Sequence, residues 1–245
     1  MYLLLSGEGS SDIGNCNLAI NFCDRDNFVE GPMTVIVDQL IEIFQGYEMS
    51  HLDTSRVSFV SERHLADNKL PAKKKSMSMR GKKKAVETKY YYENARALAS
   101  LAKQKSIEVQ DKVIAVLFRD SDGTASANRG NWSDKRESML RGFNDEEYSL
   151  GVAMVPKPKS EAWLLCATKD TKYQNCIVLE DESGNDDSPN PLKEQLLHSL
   201  DRNFDGNNDI CQLIREKLID IEKIDMPSFS AFKENLKTAV EKALS

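Results

Sequence analysis

Residues 112–118 read KVIAVLF, six unbroken apolar side chains with Val113, Ile114 and Val116 β-branched. A run this short and this apolar is a strand covered on both faces, which requires helices above and below a largely parallel sheet. The run ends directly in RDSDG, residues 119–123, so the strand delivers two aspartates and a glycine to one edge of that sheet.

The rest of the chain supplies the partners. MYLLLS (1–6) reads as a short buried strand ending in a glycine loop, RVSFV (56–60) as a second strand and LGVAMV (150–155) as another. GPMTVIVDQLIEIF (31–44) suits a helix of about four turns with Pro32 near its first position. Helical patterns follow from Tyr91 to Gln104 and from SEAWLLCAT (160–168), whereas residues 10–32 lack periodicity and are expected to form a long loop. Strands alternating with helices give an α/β class, a mostly parallel sheet flanked by helices, with right-handed crossovers. After the acidic seam EDESGNDDSPNP (180–191) the pattern turns helical in NPLKEQLLHSL, DICQLIREKLIDIEKI and SFSAFKENLKTAVEKAL. The expected organisation is a sheet-bearing domain over 1–180, with a basic insertion at about 66–90, and a helical extension over 190–245 packed on it.

At 245 residues the chain can bury a sizeable core. The opening MYLLLSG lacks a basic n-region, and no run approaches the roughly 20 apolar residues of a membrane span, so neither signal peptide nor span is expected. The five cysteines are odd in number and scattered without C-x-x-C, and the three histidines are isolated. Zinc clusters and disulfides are therefore not expected, and a reducing cytoplasm is. A net charge of -6 opposes an indiscriminate nucleic-acid coat, yet Lys73, Lys74, Lys75, Arg80, Lys82, Lys83, Lys84 and Lys89 cluster with Glu87 as the only acid among them. Such a run is either a solvated loop or a phosphate-binding surface. Tyr90, Tyr91 and Tyr92 adjoin it, placed to stack on bases or to enter the core.

In open α/β sheets, ligands bind beyond the carboxyl ends of the strands. The first strand runs into SGEGSSD, bringing Glu8 and Asp12, and the strand at 112–118 brings Asp120 and Asp122. If these strands are neighbours, four carboxylates meet, and their mutual repulsion requires a cation if all are to stay ionised. Oxygen ligands without a His/Cys set select Mg²⁺ or Mn²⁺.

The combination of E-G-x-S-D at Glu8 to Asp12 with a strand ending in Asp120-x-Asp122 resembles the Toprim domain. It is similar to the form in overcoming-lysogenization-defect nucleases and small stand-alone bacterial Toprim-like proteins. PKPKSEAWLLC (156–166) and NPLKEQL (190–196) extend the resemblance over roughly 1 to 200. It implies that Glu8, Asp120 and Asp122 hold a first ion, that Asp12 and Glu161 help hold a second, and that Lys159 or Lys193 neutralises phosphate charge. It also implies a nuclease, with nucleic acid as partner and an ATPase beside it in anti-phage defence. The long loop after Asp12 and the large basic insertion depart from the pattern.

Other readings of the same residues stand beside this one. VLFRDSDGT (116–124) also matches the D-x-D-G-T of haloacid-dehalogenase-like phosphatases, with Asp120 as nucleophile and CIVLEDESGN (176–185) as a later acidic motif, but that leaves GEGSSD unexplained. A non-catalytic subunit binding nucleic acid or an ATPase is a third reading. Asp120 and Asp122 alone suit a solvated turn, and Glu161 a first-turn helix acid after a Ser160 N-cap. DRNFDGNNDICQ (201–212) has calcium-loop spacing but ends in Gln212, and is better read as a capping loop between helices.

Overall fold

The computed structural model describes residues 1–18, 20–71, 88–121, 131–204 and 209–245. Strand β1 (Tyr2–Gly7) leads to a single π-helical turn at Gly9–Ile13, then to three short strands, β2 (Gly14–Cys16), β3 (Phe22–Asp24) and β4 (Phe28–Glu30). Helix α1 (Pro32–Gln45) precedes β5 (Val57–Ser61), α2 (Glu62–Asp67) and α3 (Lys89–Val109). Then come β6 (Val113–Phe118), α4 (Trp132–Asp145), β7 (Gly151–Met154) and α5 (Ser160–Thr168). The chain finishes with α6 (Leu192–Asn203), α7 (Ile210–Arg215) and α8 (Pro227–Leu244).

The main sheet has the order β3-β5-β1-β6-β7. β5, β1, β6 and β7 are parallel, and β3 is added antiparallel on the β5 edge. The fold is therefore α/β with a mostly parallel sheet between helices, as the apolar run at 112–118 requires. Alternate side chains face opposite layers. Leu3, Leu5, Ile114, Val116 and Phe118 pack toward α1, α5 and α8, while Leu4, Val113, Ala115 and Leu117 pack toward α3 and α4. Because β5 and β6 flank β1 on opposite sides, the chain reverses its direction of travel across the sheet at β1/β6, and a crevice forms beyond the carboxyl ends there.

The C-terminal helices share the core of one layer. Trp163 on α5 meets Phe229 edge-on at 5.0 Å and stacks on Phe232 at 5.7 Å, and its Nε1–H donates to Ser228 Oγ at 2.8 Å. Gln39 on α1 donates to the Ile214 carbonyl at 2.8 Å, which ties α7 to the same layer.

Three expectations are corrected. Residues 10–32 are not a featureless loop: β2 pairs antiparallel with β4, and β3 joins the main sheet. Three-residue strands are too short to show a period of two, so the pattern was hidden. The apolar spacing over 209–224 does not make one helix, because α7 ends at Arg215 and Lys217 turns into the left-handed region with φ 58°. Past the break Ile219, Ile221 and Ile224 are still buried in the core, without a helix to place them there.

Disulfides are the third. Cys16 pairs with Cys23 and Cys166 with Cys176, leaving Cys211 as the free thiol. The β2/β3 fold-back and the short 3₁₀ turn at Cys176–Asp181 bring each pair together, which C-x-x-C spacing does not test. An odd count is what two bridges and one free cysteine give. Closing loops of these sequence separations, 7 and 10 residues, stabilises the fold by about 2–3 kcal/mol each in the chain-entropy account. Alkylation in denaturant without reductant should therefore add one label, and after reduction five. The reduced protein should also melt lower; five labels without reductant would disprove both bridges.

Candidate functional site

The parallel register of β1 with β6 pairs Gly7 with Phe118, so Glu8 leaves β1 beside Arg119, with Asp120 one residue beyond. Gly7 is required by this contact, since a Cβ there would lie 2.5 Å from the Phe118 carbonyl oxygen. Glu8 Oε1 accepts the Asp120 backbone N–H at 3.1 Å. Gly9 then adopts φ +80°, and the π-helical turn swings Asp12 back toward the same edge.

Helix α5 closes the site from β7. Lys159 is its N-cap, and the Ser160 N–H donates to Asp120 Oδ1 at 3.0 Å. The fully buried Ser160 hydroxyl donates to Asp12 Oδ1 and lies 3.4 Å from Glu161 Oε2. Ser160 is thus the first residue of the helix and not its N-cap, correcting the reading of the sequence. Its amide and hydroxyl reach two different carboxylates. Lys159 Nζ pairs with Asp186 Oδ1 at 2.8 Å.

Glu8, Asp12, Asp120 and Glu161 therefore converge. Burial, and then the charges of Asp12, Glu161 and Glu8, push the Asp120 carboxyl well above the usual carboxylate range, against the opposing Ser160 N–H. Burial likewise raises Glu161, with Asp12 and Asp186 adding to it and Lys159 opposing. Among the described residues, no three such side chains already close into a metal-binding group. The hydrogen bonds explain why: Glu8 and Asp12 are each held by a neighbouring donor. Asp122 lies outside the described residues.

Arg119 is the functional residue that sequence reasoning missed. Its Nη2 pairs with Glu8 Oε2 at 2.9 Å and its Nη1 with Glu62 Oε1 at 2.7 Å. The guanidinium lies 4.2 Å from the Tyr90 ring centroid and 5.5 Å from that of Tyr91. Burial works against its charge, but Glu62 and Glu8 more than offset this and hold its pKa above the ordinary value. A clue lay in the sequence, where an arginine directly precedes Asp120. The three tyrosines divide their roles. Tyr91 is buried and donates to the Asp120 carbonyl at 2.8 Å, Tyr92 donates to Asp145 at 2.6 Å, and Tyr90 stays partly exposed.

Of the basic run, Lys89 begins α3 as an exposed residue 3.5 Å from Glu93, and Lys73, Lys74, Lys75, Arg80, Lys82, Lys83 and Lys84 lie outside the described residues. Of the calcium-like spacing, Asp209 caps α7 by accepting the Gln212 N–H at 3.2 Å, and residues 205–208 are outside the described set. A groove of about 560 Å³ lies near the C-terminal end of α1, lined by residues such as Glu42, Tyr47 and Ile221; α1 runs back from the carboxyl edge, so this groove is remote from the carboxylates.

Folded-state carboxyl pKa values above the unfolded ones mean that the native state binds more protons, so stability falls as pH rises from about 4 through the raised values. In divalent-free buffer, Asp120→Asn should therefore melt higher than the wild type at pH 7. Each kcal/mol is worth about 2–4 °C in a chain of this size. The gap should shrink toward pH 4; a lower melting temperature at pH 7 would show that Asp120 is not under charge stress. Comparison with family models, with curated proteins and with solved structures finds no match for this chain.

Proposed function

We propose that this chain is a Toprim-type, metal-dependent nuclease that hydrolyses phosphodiester bonds of DNA or RNA. One observation supports the reading: at the sheet's switch point the buried Asp120 carboxyl is raised by burial and by the charges of Asp12, Glu161 and Glu8, which come from the turn after β1, from α5 and from the end of β1. A set of oxygen donors short of positive charge fits Mg²⁺ or Mn²⁺. Glu8, Asp12, Asp120 and Glu161, with Asp122, would hold one or two ions. Such ions activate the attacking water and stabilise the leaving oxygen of a phosphodiester.

The chain's own residues supply the rest. Ser160 fixes the orientations of Asp120 and Asp12 through its amide and hydroxyl. Lys159, at the N-terminus of α5, stands at the same edge to neutralise developing phosphate charge. Lys89 and the basic run before it provide backbone contacts whose strength falls with salt. A role beside an ATPase in anti-phage defence belongs to the same reading and follows from the Toprim resemblance alone.

A cytoplasmic location goes with a nucleic-acid substrate, and no helix among the described residues is long and apolar enough to cross a membrane. Disulfides are unusual in that compartment. Cys16, Cys23, Cys166 and Cys176 are each at most 9% exposed, which shields them from soluble thiols.

Nothing favours the phosphatase reading. Its later acidic motif contributes Glu180, which accepts the Ser228 N–H at 2.6 Å, and Asp181, which pairs with Lys157 at 3.3 Å. Both are engaged outside the carboxylate cluster.

The test is cleavage of labelled supercoiled DNA, single-stranded DNA, tRNA and p-nitrophenyl phosphate, with Mg²⁺, Mn²⁺ or EDTA. Cleavage of a nucleic acid should need the ion and drop at least about 100-fold in Asp120→Ala, as loss of a metal ligand predicts. Turnover of the small ester alone would replace this reading with the phosphatase one. Silence on all four, with nucleic acid still bound, would leave the non-catalytic subunit.

A further inference from the structure

We propose that Arg119 is an internal cation that holds Glu8 in the metal-free protein and passes to a substrate phosphate when a divalent ion takes Glu8. The inference rests on the metal-dependent reading above and assigns the regulation of that same site.

The geometry is that of a lock with one movable bond. Both oxygens of Glu8 are engaged, Oε1 by the Asp120 N–H at 3.1 Å and Oε2 by Arg119 Nη2 at 2.9 Å. Arg119 is fixed at its other end. Its backbone N–H donates to the Met154 carbonyl at 3.0 Å, Nη1 is paired with Glu62, and Tyr90 covers one face of the guanidinium. Tyr90 itself donates to Glu62 Oε2 at 3.1 Å, so ring and carboxylate form one brace. What this leaves adjustable is the Nη2 edge that faces Glu8.

An arginine remains charged at any working pH, so it keeps its hold on Glu8 until another cation takes its place there. With Nη1 kept on Glu62, the released Nη2 edge offers its N–H donors to a phosphate oxygen in a charge-assisted hydrogen bond. Metal and phosphate then favour each other's binding, and by linkage the effect is equal in both directions. Arg119 acts as a positioning residue for Glu8 in the free protein, and meets the substrate only after the exchange.

Calorimetric titration with Mn²⁺ alone, then with Mn²⁺ in the presence of a short phosphorothioate-linked oligo-dT, reads both halves of the cycle. Wild type should bind Mn²⁺ more tightly when the oligonucleotide is present. Arg119→Gln should bind Mn²⁺ alone about three-fold tighter than wild type, the scale of one partly exposed ion pair, and should lose the enhancement by oligonucleotide. Arg119→Lys keeps the charge but not the two-ended fork, so it should fall between them, and it carries the test if Arg119→Gln fails a thermal-melt check of folding.

Mn²⁺ affinity unchanged or weakened in a folded Arg119 variant overturns the assignment. If at the same time wild-type binding is present and is lost in Asp120→Asn, the metal site stands and Arg119 alone is misassigned. A wild type that binds no Mn²⁺ removes both.

Discussion

The parallel pairing of β1 with β6 sets Gly7 opposite Phe118, and on that register depend the neighbouring positions of Glu8 and Asp120. A slip of one residue would turn every side chain of β1 to the other layer, exchanging Leu3 and Leu5 for Leu4. The apolar faces above and below the sheet therefore hold the acidic edge in place. Gly7 tightens this link, because only a residue without Cβ lets the Phe118 carbonyl approach as it does. Packing in the core and the positions of acids at the rim are one constraint seen at two ends.

The segments that leave the edge are braced in turn. Cys16–Cys23 ties β2 to β3 after Asp12, and Cys166–Cys176 fastens α5 to the turn after it. Asp12 and Glu161 sit just before these bridges, outside the strands themselves, on a short π turn and on a helix whose side chains are almost all buried. Thr34 adds to this by donating from its hydroxyl to the Ile13 carbonyl at 2.5 Å, tying the turn to α1. The site is thus built from two strand ends, a π turn and the first turn of a helix, held by covalent or buried polar ties.

Strands β1 and β6 were legible because continuous apolar runs of five or six residues have few other solutions in a chain rich in helical patterns. The acids at their ends were legible for the same reason, since a strand fixes where the next residue emerges. Ser160 was not, because a serine before a glutamate reads as an ordinary helix start, and only the fold shows both its donors turned to carboxylates. Arg119 was hidden by its place at a strand terminus, where a charged residue needs no explanation. Cys16 and Cys23 were hidden because bridging depends on distance through space, and the three-residue strands that carry them are too short to leave a periodic trace.

Charge balance is the last constraint on the site. Around Asp120 stand Glu8, Asp12 and Glu161, while the nearest described cations have other acids beside them: Arg119 divides between Glu8 and Glu62, and Lys159 pairs with Asp186. Side chains of the protein thus soften the repulsion without cancelling it, and the raised Asp120 and Glu161 carboxyls are the residue of that deficit. On the proposed reading a cation completes this acidic set, and because it would first have to displace Arg119 from Glu8, occupancy of the site would depend on what else approaches it.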